Sequence, residues 1–260
     1  MIVDVATFVG AYPFRELPAT SPDALLRQMD GAGIAEAWVG HLPSFLYRDP
    51  APGNASLKEM LKPHTDRLTP VPTIHPGLPH WEDDLVSAKE SGAPAIRAYP
   101  NYQSLAAAGL EMAGLVETAA SVGVPVVLTV KFEDVRQRHP LDDNGDLPPS
   151  AVRSLARCDP NVRLLVTHAD RAFIEEVHFG LTDEEAARVL WDVSWVWGPP
   201  LHDLRTLVGT IGAQRFVFGS GLPLRIAEST PAKLDLSELT ADDRLAIECE
   251  SLRGWLEGRG

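Results

Sequence analysis

The chain has 260 residues, the size of one αβ barrel, and 45% of them are apolar, enough for a sizeable core. A formal charge of −13, from 23 basic and 36 acidic residues, excludes the net positive field that nucleic-acid binding requires. Two cysteines, Cys158 and Cys249, make neither a disulfide framework nor a metal-type spacing. With no signal-peptide pattern and no apolar run of about 20 residues, a cytoplasmic protein without a membrane partner is expected.

Short β-rich runs alternate with helical patterns along the chain. Strands are predicted over Ile2–Phe8, Glu36–His41, Leu68–His75, Ala95–Tyr99, Val124–Val130, Val162–His168, Val189–Trp195 and Arg215–Gly219. Several are near-continuous apolar runs, as parallel strands buried on both faces require. Ser21-Pro22 starts a helix with Ser as N-cap and Pro at the first helical position, and Gly31 and Gly33 end it. Ala106–Val122 reads as a longer helix stopped by Gly123, and Thr182 with Glu185 as a capping box. Leu201–Ile211 follows the seventh strand, and a last helix runs over roughly 242–256. Eight strand–helix alternations favour a closed (β/α)8 TIM barrel, taken as one domain over 1–260. No Gly-x-Gly-x-x-Gly follows a strand, which speaks against a dinucleotide site. The longest loops, Gly10–Thr20 and Phe132–Pro148, follow strands and fall on the face where barrel enzymes place their chemistry. Gly221–Thr240 also reads as loop-rich.

Side chains alternate along a strand, so spacing assigns faces. Asp4, Ala6 and Phe8 share one face of the first strand; Arg97 and Tyr99 share one of the fourth; Val127, Thr129 and Lys131 share one of the fifth. The sixth strand ends in His168, and the seventh carries Asp192 and Ser194. If these ends converge, Arg97, Lys131 and His168 line one pocket.

The segment Val3-Asp4-Val5-Ala6-Thr7-Phe8-Val9-Gly10 resembles the first-strand motif Ile-Asp-x-His-x-His-x-Gly of the amidohydrolase-related family. Tyr12-Pro13-Phe14-Arg15 matches a Pro-Phe-Arg element of one bacterial subgroup. Ile96 to Tyr102, Phe132-Glu133-Asp134 with His139-Pro140-Leu141, Leu165 to His168, and Phe218-Gly219-Ser220-Gly221-Leu222-Pro223 resemble further family segments, in family order over nearly the whole chain. The resemblance implies a metal-dependent-hydrolase-like barrel. It also implies a range of activities: hydrolase, lactonase or decarboxylase.

The departures fall on the metal ligands. The two histidines of the family's first strand fall on Ala6 and Phe8, the fifth-strand histidine on Thr129 and the eighth-strand aspartate on Gly221; His168 alone keeps its identity. A catalytic divalent ion needs about three lone-pair ligands, so no metal and no other cofactor is expected. The expected activity is a metal-independent hydrolase acting on a small carboxylate, lactone or similar carbonyl compound. The alternatives are a barrel that binds a ligand or partner without turnover, and a decarboxylase or lyase.

In the catalytic reading Arg97 and Lys131 grip oxygens and stabilise negative charge, and His168 with Asp192 moves a proton. Arg15, Tyr99, Asn101, Tyr102 and His75 are the candidate substrate contacts. Internal roles stand beside the functional ones: ion pairs for the cations, a structural acceptor for Asp192, turn chemistry for Asn101. Trp191, Trp195 and Trp197 either wall an apolar pocket or pack the barrel against its helices. A small-molecule substrate is the expected partner, and self-association into a homo-oligomer is compatible with the sequence.

Overall fold

The computed structural model describes residues 1–198 and 200–258. Eight parallel strands form in the predicted places: β1 (Ile2–Val9), β2 (Ile34–His41), β3 (Leu68–Pro70), β4 (Ile96–Ala98), β5 (Val126–Thr129), β6 (Leu164–Thr167), β7 (Val189–Asp192) and β8 (Phe216–Val217). Regular pairing runs β1-β2-β3 and β4-β5-β6-β7-β8. Two seams close the ring through backbone hydrogen bonds. Arg97 N donates to Pro72 O (2.8 Å) and Ile74 N to Arg97 O (2.9 Å), while Val5 N donates to Phe218 O (3.0 Å) and Phe8 N to Leu222 O (2.9 Å). The observed architecture is therefore the expected (β/α)8 barrel.

Helices α1 (Pro22–Ala32), α2 (Ala51–Leu61), α3 (Trp81–Glu90), α4 (Leu110–Val122), α5 (Pro149–Ala156), α6 (Arg171–His178), α7 (Asp183–Ala186), α8 (Asp203–Ile211), α9 (Ser229–Leu236), α10 (Ala241–Leu245) and α11 (Ser251–Leu256) lie outside it. The Ser21 side chain caps α1, and Gly33 ends it in the left-handed region at φ 71°. The Thr182–Glu185 capping box forms as predicted. Helix α4 starts at Leu110, later than the sequence pattern implied, because Gly109 is extended at its N-cap. The stretch read as loop over 221–240 contains α9, whose N-cap Glu228 makes no side-chain cap. The last helix is split by a π-helical turn, Ala246–Glu250.

The barrel interior is layered along its axis. Inward residues in or flanking the strands build an apolar layer: Val3, Val5, Trp38, Val71, Ala95, Val127, Leu165, Leu190 and Val217, stoppered by Cys249, Leu252 and Trp255. Two residues further along the strands the layer turns polar or small: Gly40, Thr73, Arg97, Thr129, Thr167, Asp192 and Gly219. Above it the mouth is apolar again, with Phe8, Tyr12, Leu17, Leu42, Phe45, Tyr99 and Phe132 in one buried cluster.

Strand β1 corrects one sequence expectation. Its register against β2 shifts between Asp4 and Thr7. Simple alternation therefore fails there: Val3 and Val5 join the interior layer, and Phe8, three residues on, joins the mouth cluster.

Candidate active site

In and beside the polar layer stand Arg97, His168, Asp192 and Asp4, all 0% exposed. Arg97 is placed by β4. Its Nη2 donates to Val5 O (3.0 Å), whereas Nε and Nη1 have no well-formed hydrogen bond. Its guanidinium lies over the Phe8 ring, 4.7 Å from the centroid. Burial lowers its pKa, opposed by Tyr99, Asp192 and Asp4. Gly40 on β2 makes this packing possible, since a Cβ there would stand 2.9 Å from Phe8 Cδ1 and 3.0 Å from Arg97 Nε.

His168 ends β6 with φ 61°, a left-handed conformation costing about 1 kcal/mol or more in a non-glycine residue. Its backbone N–H donates to Asp192 Oδ1 (2.6 Å), and its Nδ1 pairs with Lys131 O (2.8 Å). A carbonyl only accepts, so Nδ1 carries the proton and the neutral ring presents the Nε2 lone pair, which is buried without a partner. Burial is the main cause of an imidazole pKa near 4; Asp192 opposes it, and Arg225 and Arg97 add to it.

Asp192 uses both oxygens on backbone amides, Oδ1 on His168 and Oδ2 on Ser194 N (3.2 Å). Gly219, just beyond β8, leaves it room: a Cβ would fall 2.2 Å from Asp192 Oδ2. Asp4 accepts from Ala6 N (3.0 Å) and Ser220 N (3.1 Å), stitching β1 to the end of β8, and burial raises its carboxyl to about 6.

The other predicted residues divide. Lys131 reaches the mouth but is paired, with Nζ 2.8 Å from Asp170 Oδ2 and 3.8 Å from Asp146 Oδ2, so its charge is already matched. Tyr99 is buried in the aromatic cluster. Arg15 donates to Glu133 Oε1 (2.6 Å) and Leu224 O (2.9 Å), Asn101 to Gly145 O (2.7 Å), and Tyr102 to Asp142 Oδ2 (3.1 Å). These three side chains bind loops to one another across the mouth. His75, whose Nδ1 accepts from Gly77 N (3.2 Å), lies outside the aromatic cluster. The tryptophans split between the two readings. Trp191 packs outward against Phe173 (6.3 Å), whereas Trp195 faces His168 (6.1 Å).

Two cations were missed by strand alternation because they follow β8. Arg225 lies over Trp195, 4.1 Å from the ring centroid, and 5.7 Å from that of Trp197. Lys233 on α9 donates to Val193 O (2.6 Å) and Ser194 O (3.3 Å), and burial lowers its ammonium to about 7. The one available signal was Arg225's position a helical turn beyond Gly221, where its N–H donates to Gly221 O (3.1 Å).

These residues do not fit the divalent ion that the family resemblance implies. Ala6 and Gly221 bring no donor atom, and the Phe8 ring stands 6.1 Å from His168. Thr129 Oγ1 is bonded to Thr167 Oγ1 (2.9 Å). Among the described residues no group of three His, Cys, Asp or Glu side chains is placed to hold a metal ion. His168 Nε2 alone falls short of the roughly three ligands required.

No protein-family model and no curated protein matches the sequence. Solved structures match in fold. A 2,6-dihydroxybenzoate decarboxylase from Rhizobium is 12% identical with TM-score 0.76, covering 100% of this chain and 99% of its own. A probable 2-pyrone-4,6-dicarboxylic acid hydrolase from Acinetobacter baumannii, with citric acid bound, is 13% identical with TM-score 0.69, covering 98% and 99%. A dihydroxybenzoic acid decarboxylase from Polaromonas sp. JS666, with manganese and 2-nitroresorcinol bound, is 12% identical with TM-score 0.72, covering 98% and 96%. At these identities the likeness is one of fold, and the fold expected from the sequence resemblance is the one observed.

Proposed function

We propose that this barrel acts without a metal on a small carboxylate, lactone or similar carbonyl compound at the C-terminal end of its strands. The observation that carries the reading is Arg97: a fully buried guanidinium with a single well-formed hydrogen bond, beside a neutral histidine whose Nε2 is also unused. Asp192, Asp4 and Tyr99 support this charge, but no carboxylate among the described residues forms a direct ion pair with it, so a ligand anion adds the missing contact. Two of the barrels alike in fold are named for ring carboxylates, which supports the same ligand class.

In this reading Arg97 binds carboxylate or carbonyl oxygen and stabilises the negative charge that develops there. His168 Nε2 accepts a proton from water as the water oxygen attacks the carbonyl carbon. The carbon–oxygen bond of the lactone then breaks, and the departing oxygen takes the proton. With a pKa near 4 the imidazole is a weak base, so its larger contribution is to orient the water. Asp192 holds the His168 backbone; it is a positioning residue.

A second reading, ligand binding without turnover, is favoured by one observation. Phe8, Phe45, Tyr99 and Phe132 occupy the mouth, with Phe8 packed against both Arg97 and His168. Incubating chelator-treated protein with small lactones and benzoate-type carboxylates, with products followed by NMR, separates the two. Turnover that falls at least about 100-fold in Arg97→Met supports catalysis. Met matches the length of the buried stem without the charge, and a thermal unfolding curve of that variant separates lost turnover from lost fold. Binding without product selects the second reading, and turnover unchanged by Arg97→Met removes the catalytic assignment.

A further inference from the structure

Position 221 is a glycine with φ 76°. A Cβ built there would lie 3.1 Å from Arg225 Cδ and 3.3 Å from Arg225 Cγ, so the arginine stem covers the place an acidic side chain would take. The stem ends in a guanidinium stacked on Trp195. No carboxylate or carbonyl pairs with that guanidinium among the described residues, whereas the neighbouring cations are satisfied: Lys131 by Asp170, Lys233 by two carbonyls. Asp192 and Asp134 act on this half-buried guanidinium only through space, so its N–H donors remain open to an anion from outside. Stacking on an indole leaves the rim of the guanidinium free in its own plane, the direction in which it forks onto a planar anion. Trp197, 47% exposed and also under Arg225, keeps this side of the mouth open to solvent.

We infer that Arg225, held on Trp195 above Gly221, is a second anion-binding residue that grips a carboxylate of the ligand from the rim of the barrel. The inference rests on the carboxylate reading of the site and adds where the ligand is first held. Arg97 lies deep and Arg225 lies at the entrance, so one half-buried cation and one buried cation draw on the same anion-bearing ligand. The replacement of an acid by Gly221 then has a purpose of its own, since it removes a negative charge and gives the arginine its seat.

The test is calorimetric titration of the wild type, Arg225→Met, Arg225→Lys and Arg97→Met with benzoate, citrate and, as an uncharged control, benzamide. Losing a charged hydrogen bond predicts carboxylate affinity about 10- to 100-fold weaker in Arg225→Met. Arg225→Lys should recover part of that loss, because it keeps the charge but not the fork, and benzamide should be insensitive to both substitutions. Arg225→Met should unfold no more easily than the wild type, which separates loss of binding from loss of fold. Carboxylate affinity unchanged in Arg225→Met but weakened in Arg97→Met overturns this inference and leaves the carboxylate reading standing. No binding of benzoate or citrate to the wild type overturns both.

Discussion

Asp4 is a carboxyl that the fold holds away from water, and the physical consequence is measurable. Burial raises its pKa from 3.8 to about 6, so the folded state binds a proton more tightly than the unfolded chain does. Its stabilising contribution is complete below about pH 4 and is lost as pH rises through about 6, a span worth roughly 3 kcal/mol at most. His168 behaves oppositely: its folded value lies below 6.5, so its contribution is complete above that pH and is lost as pH falls toward 4. Asp4→Asn keeps an oxygen to accept from the Ala6 and Ser220 amides and has no proton to lose. Relative to the wild type its stability in urea unfolding should therefore rise by up to about 3 kcal/mol between pH 4 and pH 7, the His168 contribution cancelling. A difference that stays flat over this range would show that Asp4 titrates as an ordinary exposed carboxyl. Residues of this layer were legible to the extent that strands alternate evenly. Arg97, His168 and Asp192 were found that way. The β1 bulge, which decides where Phe8 goes, leaves no periodic trace in a strand that is buried on both faces.

At the scale of elements, the mouth is covered by the two long loops that follow β1 and β5, joined by latches the sequence showed only as separate polar residues. Arg15 ties the first loop to Glu133 in the fifth, Phe14 stacks on His139 (5.4 Å), and Asn101 and Tyr102 fasten the end of β4 to Gly145 and Asp142. The Glu133 side chain is 8% exposed, so its charged hydrogen bond is poorly replaced by water. Glu133→Gln should raise amide hydrogen exchange over residues 132–148 about 5- to 10-fold while leaving the strands protected. Equal exchange in the two proteins would mean that this latch does not hold the loop. Such latches escaped sequence reading because their partners lie far apart in the chain, as Lys131 and Asp170 also do. Helix starts were read well where a side chain caps the amides, at Ser21 and Thr182, and poorly where none does, at Gly109 and Glu228.

On the scale of the whole molecule, a barrel frame gathers several cations around its mouth. Closure between β8 and β1 and the apolar layer beneath make a rigid ring, and such a ring is indifferent to the chemistry carried by its strand ends. Around those ends stand Arg97, Lys131, Arg225 and Lys233, interleaved with Asp4, Asp170 and Asp192, although the chain as a whole has a formal charge of −13. The eight-strand order was readable because the alternating runs are long and apolar; the departures from the resembled family's ligand pattern were readable at Ala6, Phe8, Thr129 and Gly221. Arg225, the cation over Gly221, needed the folded chain to be seen.

The most direct test is equilibrium dialysis of the chelator-treated protein against zinc and manganese, with bound metal counted by elemental analysis. A mouth furnished with guanidinium groups, with His168 Nε2 the one buried unpartnered imidazole nitrogen among the described residues, should take up no stoichiometric ion, in the wild type and in His168→Ala alike. One equivalent retained by the wild type and lost in His168→Ala would contradict the account, because a cation would then occupy the place assigned to an anion.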